Sequence, residues 1–389
     1  FPRANFTRPG RRRRRDRRRR ANAHARPDRC ALAHDAGACN SPADLHHGYR
    51  LPHDLGSQGG RADPYAGFYQ CARHGWTGPS QSLKQAIDKG LQVGPRIWPS
   101  GAIISQTGGH GDFRLPYEIP ASGNAPLRYL ERINGGISAD GADQVLKRVR
   151  EQLALGASQI KLAGGGGIVS MYDPIDVAEY TEREFRAAVE AAENWGTYVA
   201  VHAYTPRAIQ TALRAGVRSI EHGHLMDEGT AKLIARHGAW LSLQPFVDKG
   251  HSPFEEGSSN RDKERKVFEG TDHVYHYAQT HGIQTAWGTD ILFDPAATTQ
   301  QNHMLVQMQR WYKPAEVLKM ATCANAQLLA LSGARNPYPG LLGVISEGAL
   351  ADLLIVDGDP VSNLQLLSRP EQSLSAIMKG GVFYKNTLA

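Results

Sequence analysis

The chain has 389 residues, of which 41% are hydrophobic and 21% are charged. This composition is typical of a globular protein, and the length suits a barrel of about 250 residues with a smaller second domain. No window approaches about 18 uninterrupted apolar residues, so a membrane span is not expected. The cysteines lack the spacing of zinc-finger ligands and are too few for a disulfide scaffold; they are Cys30, Cys39, Cys71 and Cys323.

Charge is distributed unevenly along the chain. The net charge is +7, but residues 1–20 hold eleven arginines and one acid, whereas the remainder carries 34 basic and 37 acidic side chains. An arginine-rich arm is typical of phosphate or nucleic-acid binding, and equally of a low-complexity tail without a role. The mildly acidic remainder offers no basic face that would continue the arm, so nucleic acid is not an expected partner.

From Ser82 onward, short apolar segments alternate with amphipathic ones. The candidate strands are Arg96–Ser105, Ser158–Leu162, Tyr198–Ala203, Ser219–His224, Trp240–Pro245 and Gln284–Thr289. The candidate helices are Asp143–Leu155, Thr181–Trp195, Pro206–Ala215, Glu228–His237 and Arg261–His281. Repeated strand–helix units predict an α/β fold with a parallel sheet, and about six of them favour a (β/α)8 TIM-like barrel. Residues 1–80 follow neither period and offer no strand to complete that barrel.

Four polar residues stand at the carboxyl ends of successive predicted strands: Lys161, His202, His222 and Asp290. Barrel enzymes gather their active sites at this face. Two imidazoles and a carboxylate suit Zn²⁺ or a similar ion, which lowers the pKa of bound water to about 7 and polarises a carbonyl. One such histidine alone is more often structural, so it is their recurrence on consecutive strands that indicates a metal site.

Several strings between Ser82 and Ala389 carry a family resemblance. They are SGAIISQTGGHGD, IKLAGGGGIVS, VAVHAYTPRAI, SIEHGHLMD, WGTD and GLLGVISEGALADLLIVDGDPVSNL. They resemble the amidohydrolase superfamily, in the branch of imidazolonepropionase-like and Xaa-Pro dipeptidase-like enzymes. The resemblance implies metal-dependent hydrolysis of amide C–N bonds, with two divalent ions in an intact member. It also implies a small β domain beside the barrel, formed by the C-terminal segment together with N-terminal strands.

The resemblance implies a role for each residue at the strand ends. Lys161 would be carbamylated and bridge the metals, because an unmodified ammonium has no lone pair with which to ligate. His202 and His222 would be metal ligands, and Asp290 would be both a ligand and the general acid–base. A plainer interpretation of Lys161 stays open, in which the lysine merely pairs with an acid.

Other residues near these strand ends are expected to support the site. His110 and Tyr204 would contact the substrate, with Tyr204 donating a hydrogen bond to the scissile carbonyl. His110 could instead cap its glycine-rich turn. His224 is interpreted as supporting or structural, and Gly164–Gly167 as room for substrate near Lys161, since no phosphate-loop GK[ST] follows the glycines.

The family's two-metal site also needs a His-x-His pair at the end of its first strand, and this sequence has no such string. His46 and His47 are adjacent, so their side chains would face opposite ways on a strand. His24 and His34 are too far apart to form the pair. Read literally, the sequence therefore describes a defective or non-catalytic homologue that holds one metal at most.

A second explanation is that residues 1–80 are an out-of-frame translation. Codons that encode Arg15–Asp35, read one nucleotide later, permit VIDAGGRTLMPGLIDVHWH, which contains the missing pair. In the same frame, Gly67–Thr77 permit GFTNVRDMGGP, which resembles the family's second strand. Displaced GC-rich codons would also account for the arginine run.

The predicted organisation has three parts: an aberrant, out-of-frame or disordered segment over 1–80, a metal-dependent hydrolase barrel over 81–340 and a small β segment over 341–389. The predicted substrate is a dipeptide-like molecule or an N-acyl amino acid, with Xaa-Pro peptides favoured by resemblance. A divalent ion, zinc first, and carbamylated Lys161 are the expected cofactors. We expect no nucleic-acid or membrane partner, a possible homo-oligomer and a cytoplasmic location. Nucleic-acid binding through the arginine arm is the remaining alternative.

Overall fold

The structure is a computed structural model that describes residues 29–33, 70–73, 79–118, 125–247, 250, 252–291 and 296–388. Its strands are β1 (Arg29–Ala33), β2 (Gln70–Arg73), β3 (Arg96–Pro99), β4 (Ile103–Ser105), β5 (Gly136–Ser138), β6 (Ile160–Ala163), β7 (Val199–Ala203), β8 (Ser219–His222), β9 (Trp240–Leu243), β10 (Thr285–Trp287), β11 (Leu353–Asp357), β12 (Leu374–Lys379) and β13 (Val382–Asn386). Its α-helices are α1 (Pro79–Asp88), α2 (Tyr129–Arg132), α3 (Ala142–Ala154), α4 (Glu182–Asn194), α5 (Pro206–Arg214), α6 (Glu228–His237), α7 (Ser259–Thr280), α8 (Gln301–Gln307), α9 (Pro314–Lys319), α10 (Asn325–Ala330) and α11 (Pro370–Ser373).

A parallel β-sheet lies at the centre of the molecule. Within the described residues it has seven strands in the order β10–β9–β8–β7–β6–β4–β5, and every neighbouring pair is parallel. Strands β6 to β9 are buried along their whole length, as expected when both faces of a sheet are covered. Helices α4, α5 and α6 connect these strands in turn, which gives a TIM-like barrel.

The connecting helices follow their sequence signals closely. Each predicted helix is present, with both ends within two residues of the expected position. In α4, Thr181 and Glu184 form a reciprocal capping box, and the apolar stripe that includes Phe185 and Val189 is buried. None of the helices in the described parts combines the length and apolar character needed to cross a membrane.

The predicted strand Arg96–Ser105 is in fact two strands. β3 pairs with β2, whereas β4 pairs with β5 and β6. Between them Gly101 has a φ of 71°, and the backbone N–H of Ala102 donates to Oε1 of Gln152 at 2.9 Å instead of to a neighbouring strand. A residue in the left-handed region turns the chain, so a continuous apolar run is divided.

A small antiparallel sheet packs beside the barrel, in the order β1–β11–β12–β13. β1 and β2 lie in the segment for which the sequence predicts no strand. β1 pairs with β11 from Arg29 opposite Asp357 to Ala33 opposite Leu353, and β2 pairs in parallel with β3. Strand pairing uses backbone groups that every non-proline residue carries, so an open sheet edge accepts a segment without a strand-like side-chain pattern.

Candidate active site

The four residues predicted from the strand ends lie together at the carboxyl edge of the parallel sheet. Lys161 belongs to β6, His202 to β7 and His222 to β8, and Asp290 follows the end of β10. The rings of His202 and His222 lie 4.7 Å apart between centroids, and Oδ2 of Asp290 lies 3.8 Å from Nδ1 of His222. The Lys161 ammonium acts electrostatically on the other three. Parallel strands end at one edge, which is why residues distant in sequence meet here.

His110 and Tyr204 lie against the same two imidazoles. The His110 ring stacks on the ring of His202, with centroids 4.0 Å apart and planes inclined by 14°. The Tyr204 ring is 5.0 Å from His202 and 5.1 Å from His222. The His110 ring bonds Ser170 rather than its own turn.

Hydrogen bonds leave one defined ring nitrogen of each strand-end histidine with a lone pair. Nε2 of His202 lies 3.1 Å from the carbonyl oxygen of Gly166, which can only accept, so Nε2 is the donor. Nδ1 of His222 lies 2.7 Å from Oε1 of Gln244 and is likewise the donor. The lone pairs therefore sit on Nδ1 of His202 and Nε2 of His222, the arrangement that a metal ligand requires.

Burial keeps these histidines neutral. It lowers the pKa of His202 and His222 well below the usual range, and the nearby Lys161 charge lowers both further. It lowers the pKa of His110 to about 3, with Lys161 and Lys263 contributing. A neutral imidazole can coordinate an ion, whereas an imidazolium cannot.

The two charged residues of the site are shifted toward their neutral forms. Desolvation lowers the pKa of Lys161, against the attraction of Glu221 and Asp290. Desolvation raises the pKa of Asp290 to about 7, although the Asp290 side chain is 30% exposed. The positive charge of Lys161 opposes this shift, and the negative charge of Glu221 adds to it. A carboxyl that titrates near neutrality is suited to accept and return a proton.

Two of the strand-end residues have strained backbones. His222 has a φ of 78° and Asp290 a φ of 51°, in the region that residues with a Cβ rarely adopt. Conformations of this kind cost about 1–3 kcal/mol each and cluster at functional sites.

The sequence analysis interpreted the glycine run after Lys161 as room for substrate. In the structure these glycines instead pack closely against other residues. A Cβ on Gly167 would overlap the His110 ring, and one on Gly166 would overlap the carbonyl of Pro174. A Cβ on Gly164 would lie 2.6 Å from Cγ1 of Val201. These positions need glycine because the loop packs tightly against its own neighbours.

His224 lies at the margin of the cluster. Its Nε2 donates to the carbonyl oxygen of Gln244 at 3.1 Å, and its ring lies 5.0 Å from that of Phe246. Burial lowers the pKa of His224 to about 4. These contacts give it a packing role beside His222.

The donor chemistry of the strand ends suits a divalent ion. His202 and His222 each present a lone pair, Asp290 supplies carboxylate oxygens, and the Lys161 side chain is buried beside them. Among the residues that the structure describes, however, no three His, Cys, Asp or Glu side chains already surround one point. The residues thus fit a metal by their chemistry. The histidines of the N-terminal segment that the sequence analysis weighed as partners, His24, His34, His46 and His47, lie outside the described residues.

The sequence did not single out the residues that hold the site in place. Gln244 follows β9 and orients His222, and its place beyond a strand end was a signal that could have found it. Glu179 accepts a hydrogen bond from the backbone N–H of His110 at 2.6 Å, and Ser170 contacts the His110 ring. These two lie in loops without periodicity or a recognisable motif.

Known proteins match most of the chain. Residues 65–382 match the sequence profile described as the amidohydrolase family. The ochratoxinase of Aspergillus niger is 28% identical over 341 residues, which cover 82% of this chain and 67% of that protein. Its crystal structure superposes with a TM-score of 0.77 at 25% identity, over 92% of this chain and 83% of that one.

Prolidase-like structures are also similar. The crystal structure of a prolidase complexed with N-methylphosphonate-L-proline has a TM-score of 0.79 and 31% identity, over 92% of this chain and 87% of that one. A Xaa-Pro dipeptidase with bound methionine shares the fold, with a TM-score of 0.75 at 24% identity over 92% and 87% of the two chains. The chain belongs to the amidohydrolase family and is a hydrolase of carbon–nitrogen bonds.

Proposed function

We propose that the protein uses a divalent metal ion, zinc first, to hydrolyse the amide bond of small dipeptide-like or N-acyl amino-acid substrates, Xaa-Pro peptides among them. The observation that carries this proposal is the group of two neutral imidazoles, a carboxylate and a desolvated lysine at one edge of the sheet. The similarity to a prolidase crystallised with a proline phosphonate supports the substrate class.

Each side chain has a distinct chemical task in this proposal. When bound, the metal lowers the pKa of water and polarises a carbonyl. Asp290 would accept the proton of the attacking water and return it to the leaving nitrogen. The Tyr204 hydroxyl would donate to the carbonyl oxygen as negative charge develops there. The Lys161 amine, whose pKa burial lowers, would take up CO₂ and supply carbamate oxygens as ligands.

Metal content and hydrolysis measured together test the proposal. The purified protein, supplied with Zn²⁺ and bicarbonate, is assayed against Xaa-Pro dipeptides, other dipeptides and N-acyl amino acids. We expect His222→Ala to lower both bound zinc and hydrolysis, whereas His237→Ala, a change on the exposed end of α6, leaves both intact. Unchanged zinc content in His222→Ala would remove this residue from the metal site.

The missing His-x-His string favours a second candidate, a non-catalytic homologue with at most one metal. The two candidates differ in zinc stoichiometry and in the N-terminal peptides found by mass spectrometry. Two zinc ions per chain and peptides that contain VHWH would support the hydrolase, and would show that residues 1–80 are an out-of-frame translation. Arginine-rich peptides that match residues 11–20, at most one zinc and no hydrolysis would support the non-catalytic homologue.

A further inference from the structure

The end of β10 is held by the side chain of Asn325. The backbone N–H of Trp287 donates to Oδ1 of Asn325 at 2.9 Å, and Nδ2 of Asn325 donates to the carbonyl oxygen of Trp287 at 3.0 Å. Both residues are buried, although they lie 38 positions apart in the sequence. One side-chain amide thus bonds both backbone groups of Trp287, as a neighbouring strand would.

These two bonds lie on the edge of β10 that faces away from β9. On the β9 side, the backbone N–H of Gly288 donates to the carbonyl oxygen of Leu243 at 3.1 Å. Successive residues of a strand direct their backbone groups to opposite edges, so the groups of Trp287 point away from β9. Within the described residues β9 is the one strand that pairs with β10, and Asn325 provides a contact on the other edge.

The local structure around Asn325 brings its amide to this edge. Asn325 is the first residue of α10 and directly follows a π-helical turn, Met320–Ala324, that continues from α9. Such a turn contains one residue more than an α-helical turn, which shifts the following residues around the helix axis by about 100°. Leu328 of α10 also packs in one apolar cluster with Ala286 of β10. Helix α10 is therefore fastened to the strand whose end it holds.

The segment held in this way carries Asp290. Asp290 lies three residues beyond Trp287, and its Oδ2 lies 3.8 Å from Nδ1 of His222. Its φ of 51° is a conformation that persists only where the surrounding structure enforces it. The bonds of Trp287 to Asn325 and of Gly288 to β9 supply that constraint, because they fix both edges of the backbone just before Asp290.

We propose that Asn325 is a positioning residue that acts through Asp290: its amide fixes the end of β10, and with it the backbone that places the Asp290 carboxylate beside His222. The consequence for catalysis rests on the proposed function, in which Asp290 is a metal ligand and the general acid–base. Because both ends of its amide bond the Trp287 backbone, Asn325 acts without contacting the metal or the substrate.

Zinc affinity tests this role without turnover. In protein supplied with Zn²⁺ and bicarbonate, we expect Asn325→Ala to lower zinc affinity about ten- to a hundredfold in competition with a chelator, the usual effect of losing a group that orients a metal ligand. In protein that already carries Asp290→Ala, the same change should lower zinc affinity no further, because Asn325 acts through Asp290. Equal losses in the two backgrounds would overturn the proposal.

Gln152→Ala is the matched control. The buried Gln152 amide also accepts a backbone N–H, that of Ala102 at 2.9 Å, but it does so at the amino end of β4, away from the site. Its loss should lower the free energy of unfolding and leave zinc affinity unchanged. A fall in zinc affinity as large as that of Asn325→Ala would show that general destabilisation, and not positioning, is the cause.

Hydrogen exchange reports on the backbone itself, whether or not zinc binds. We expect the Trp287 amide to exchange about tenfold faster in Asn325→Ala than in the native protein, the effect of losing one hydrogen bond, and to be unchanged in Gln152→Ala. Asn325→Asp keeps an acceptor for the Trp287 N–H but sets an oxygen against its carbonyl oxygen. This variant should also lower zinc affinity, and it decides the matter if Asn325→Ala does not fold. Native exchange and native zinc affinity in the Asn325 variants would overturn the proposal.

Kinetics separate positioning from substrate binding. For a hydrolysed dipeptide, Asn325→Ala should lower kcat about ten- to a hundredfold and leave KM nearly unchanged, because His110 and Tyr204 follow other strands. A raised KM with native kcat would contradict a role through Asp290. A native protein that hydrolyses no compound of the panel would contradict the proposed function, while zinc affinity and hydrogen exchange would still decide the role of Asn325.

Discussion

At the scale of single residues, the site depends on partners that define which nitrogen of each histidine carries the proton. Gly166 and Gln244 do this for His202 and His222 through carbonyl oxygens. When a hydrogen bond already sets the tautomer and the ring orientation of a histidine, no free energy is spent on reorienting the ring as it binds an ion. The metal affinity of the site should therefore depend on residues that never touch the metal.

Gln244 allows this dependence to be tested. Gln244→Leu keeps the size of the side chain but removes the acceptor for His222, and we expect zinc affinity to fall about ten- to a hundredfold. Gln244→Glu keeps an acceptor oxygen and should retain most of the affinity. Competition with a chelator measures both constants. Native zinc affinity in Gln244→Leu would show that the contact does not orient His222.

Gly167 tests how tightly the loop fits the His110 ring. Gly167→Ala places a Cβ on the ring, so we expect a free energy of unfolding lower by about 1–3 kcal/mol and a loss of hydrolysis. Gly229→Ala is the matched control, because Gly229 is an exposed position near the start of α6 and a Cβ there has its nearest neighbour at 3.5 Å. That change should stabilise the protein by about 0.5–1 kcal/mol. Equal effects of the two substitutions in urea unfolding would contradict the expected overlap.

At the scale of elements, helices and strands were predictable to different degrees. Helix α6 has the predicted ends because its apolar spacing, its Asp227 cap and Gly238 at its end are all local signals. The segment Arg96–Ser105 was wrongly predicted as one strand, because the bond from Ala102 to Gln152 joins residues 50 positions apart. Apolar patterning shows that a segment is buried but not where its backbone changes partners.

The turn that carries His110 is held by Glu179 and not by a regular element. Glu179 accepts from the backbone N–H of His110 and from the Ser105 hydroxyl at 3.1 Å. Glu179→Ala leaves a buried N–H unpaired, and we expect it to lower the free energy of unfolding by about 1–3 kcal/mol. Glu179→Gln keeps an acceptor for His110 and a donor for Ser105, so it should cost less. Chemical denaturation measures both; an equal loss would contradict the role assigned to these bonds.

The same residue should make stability depend on pH. Burial raises the pKa of Glu179 well above its usual value. Glu179 therefore contributes most to the free energy of unfolding at a pH below about 4.3, the pKa of a glutamate in the unfolded chain. This contribution declines as the pH rises, because the unfolded chain releases the proton while the folded protein retains it. The stability of Glu179→Gln relative to the native protein should accordingly increase from about pH 5 to about pH 7. A difference that stays constant over this range would contradict the raised pKa.

At the scale of the whole molecule, one largely buried ion pair joins strand β3 to the small antiparallel sheet. Arg96 of β3 donates two hydrogen bonds of 2.9 Å to Asp352, which also accepts the backbone N–H of Gly380 at 2.7 Å. The Tyr338 ring lies 5.3 Å from the Arg96 guanidinium. Asp352 adjoins β11 and Gly380 lies between β12 and β13, so one carboxylate links β3 to two parts of the small antiparallel sheet.

Removal of this carboxylate should destabilise the protein strongly. Asp352→Ala leaves the Arg96 charge buried, with a side chain only 13% exposed, and we expect a cost of about 3–5 kcal/mol. The double variant Arg96→Met with Asp352→Leu buries no charge and should cost less. Lys147→Ala, which breaks an exposed pair with Glu151, should cost about 0–1 kcal/mol. A loss for Asp352→Ala no larger than that of Lys147→Ala would contradict the role of the pair.

The sequence by itself determined the fold class, five of the helices, the family, and the functional residue types in β6, β7 and β8 and after β10. These follow from local periodicity and short motifs, which are properties of neighbouring residues. Only the tertiary structure decided which partner each functional side chain receives. His110 meets Ser170 across 60 positions, and His222 meets Gln244 across 22. Such partners depend on how the loops pack against one another, because a hydrogen bond requires two groups to converge in space and no local pattern encodes that convergence.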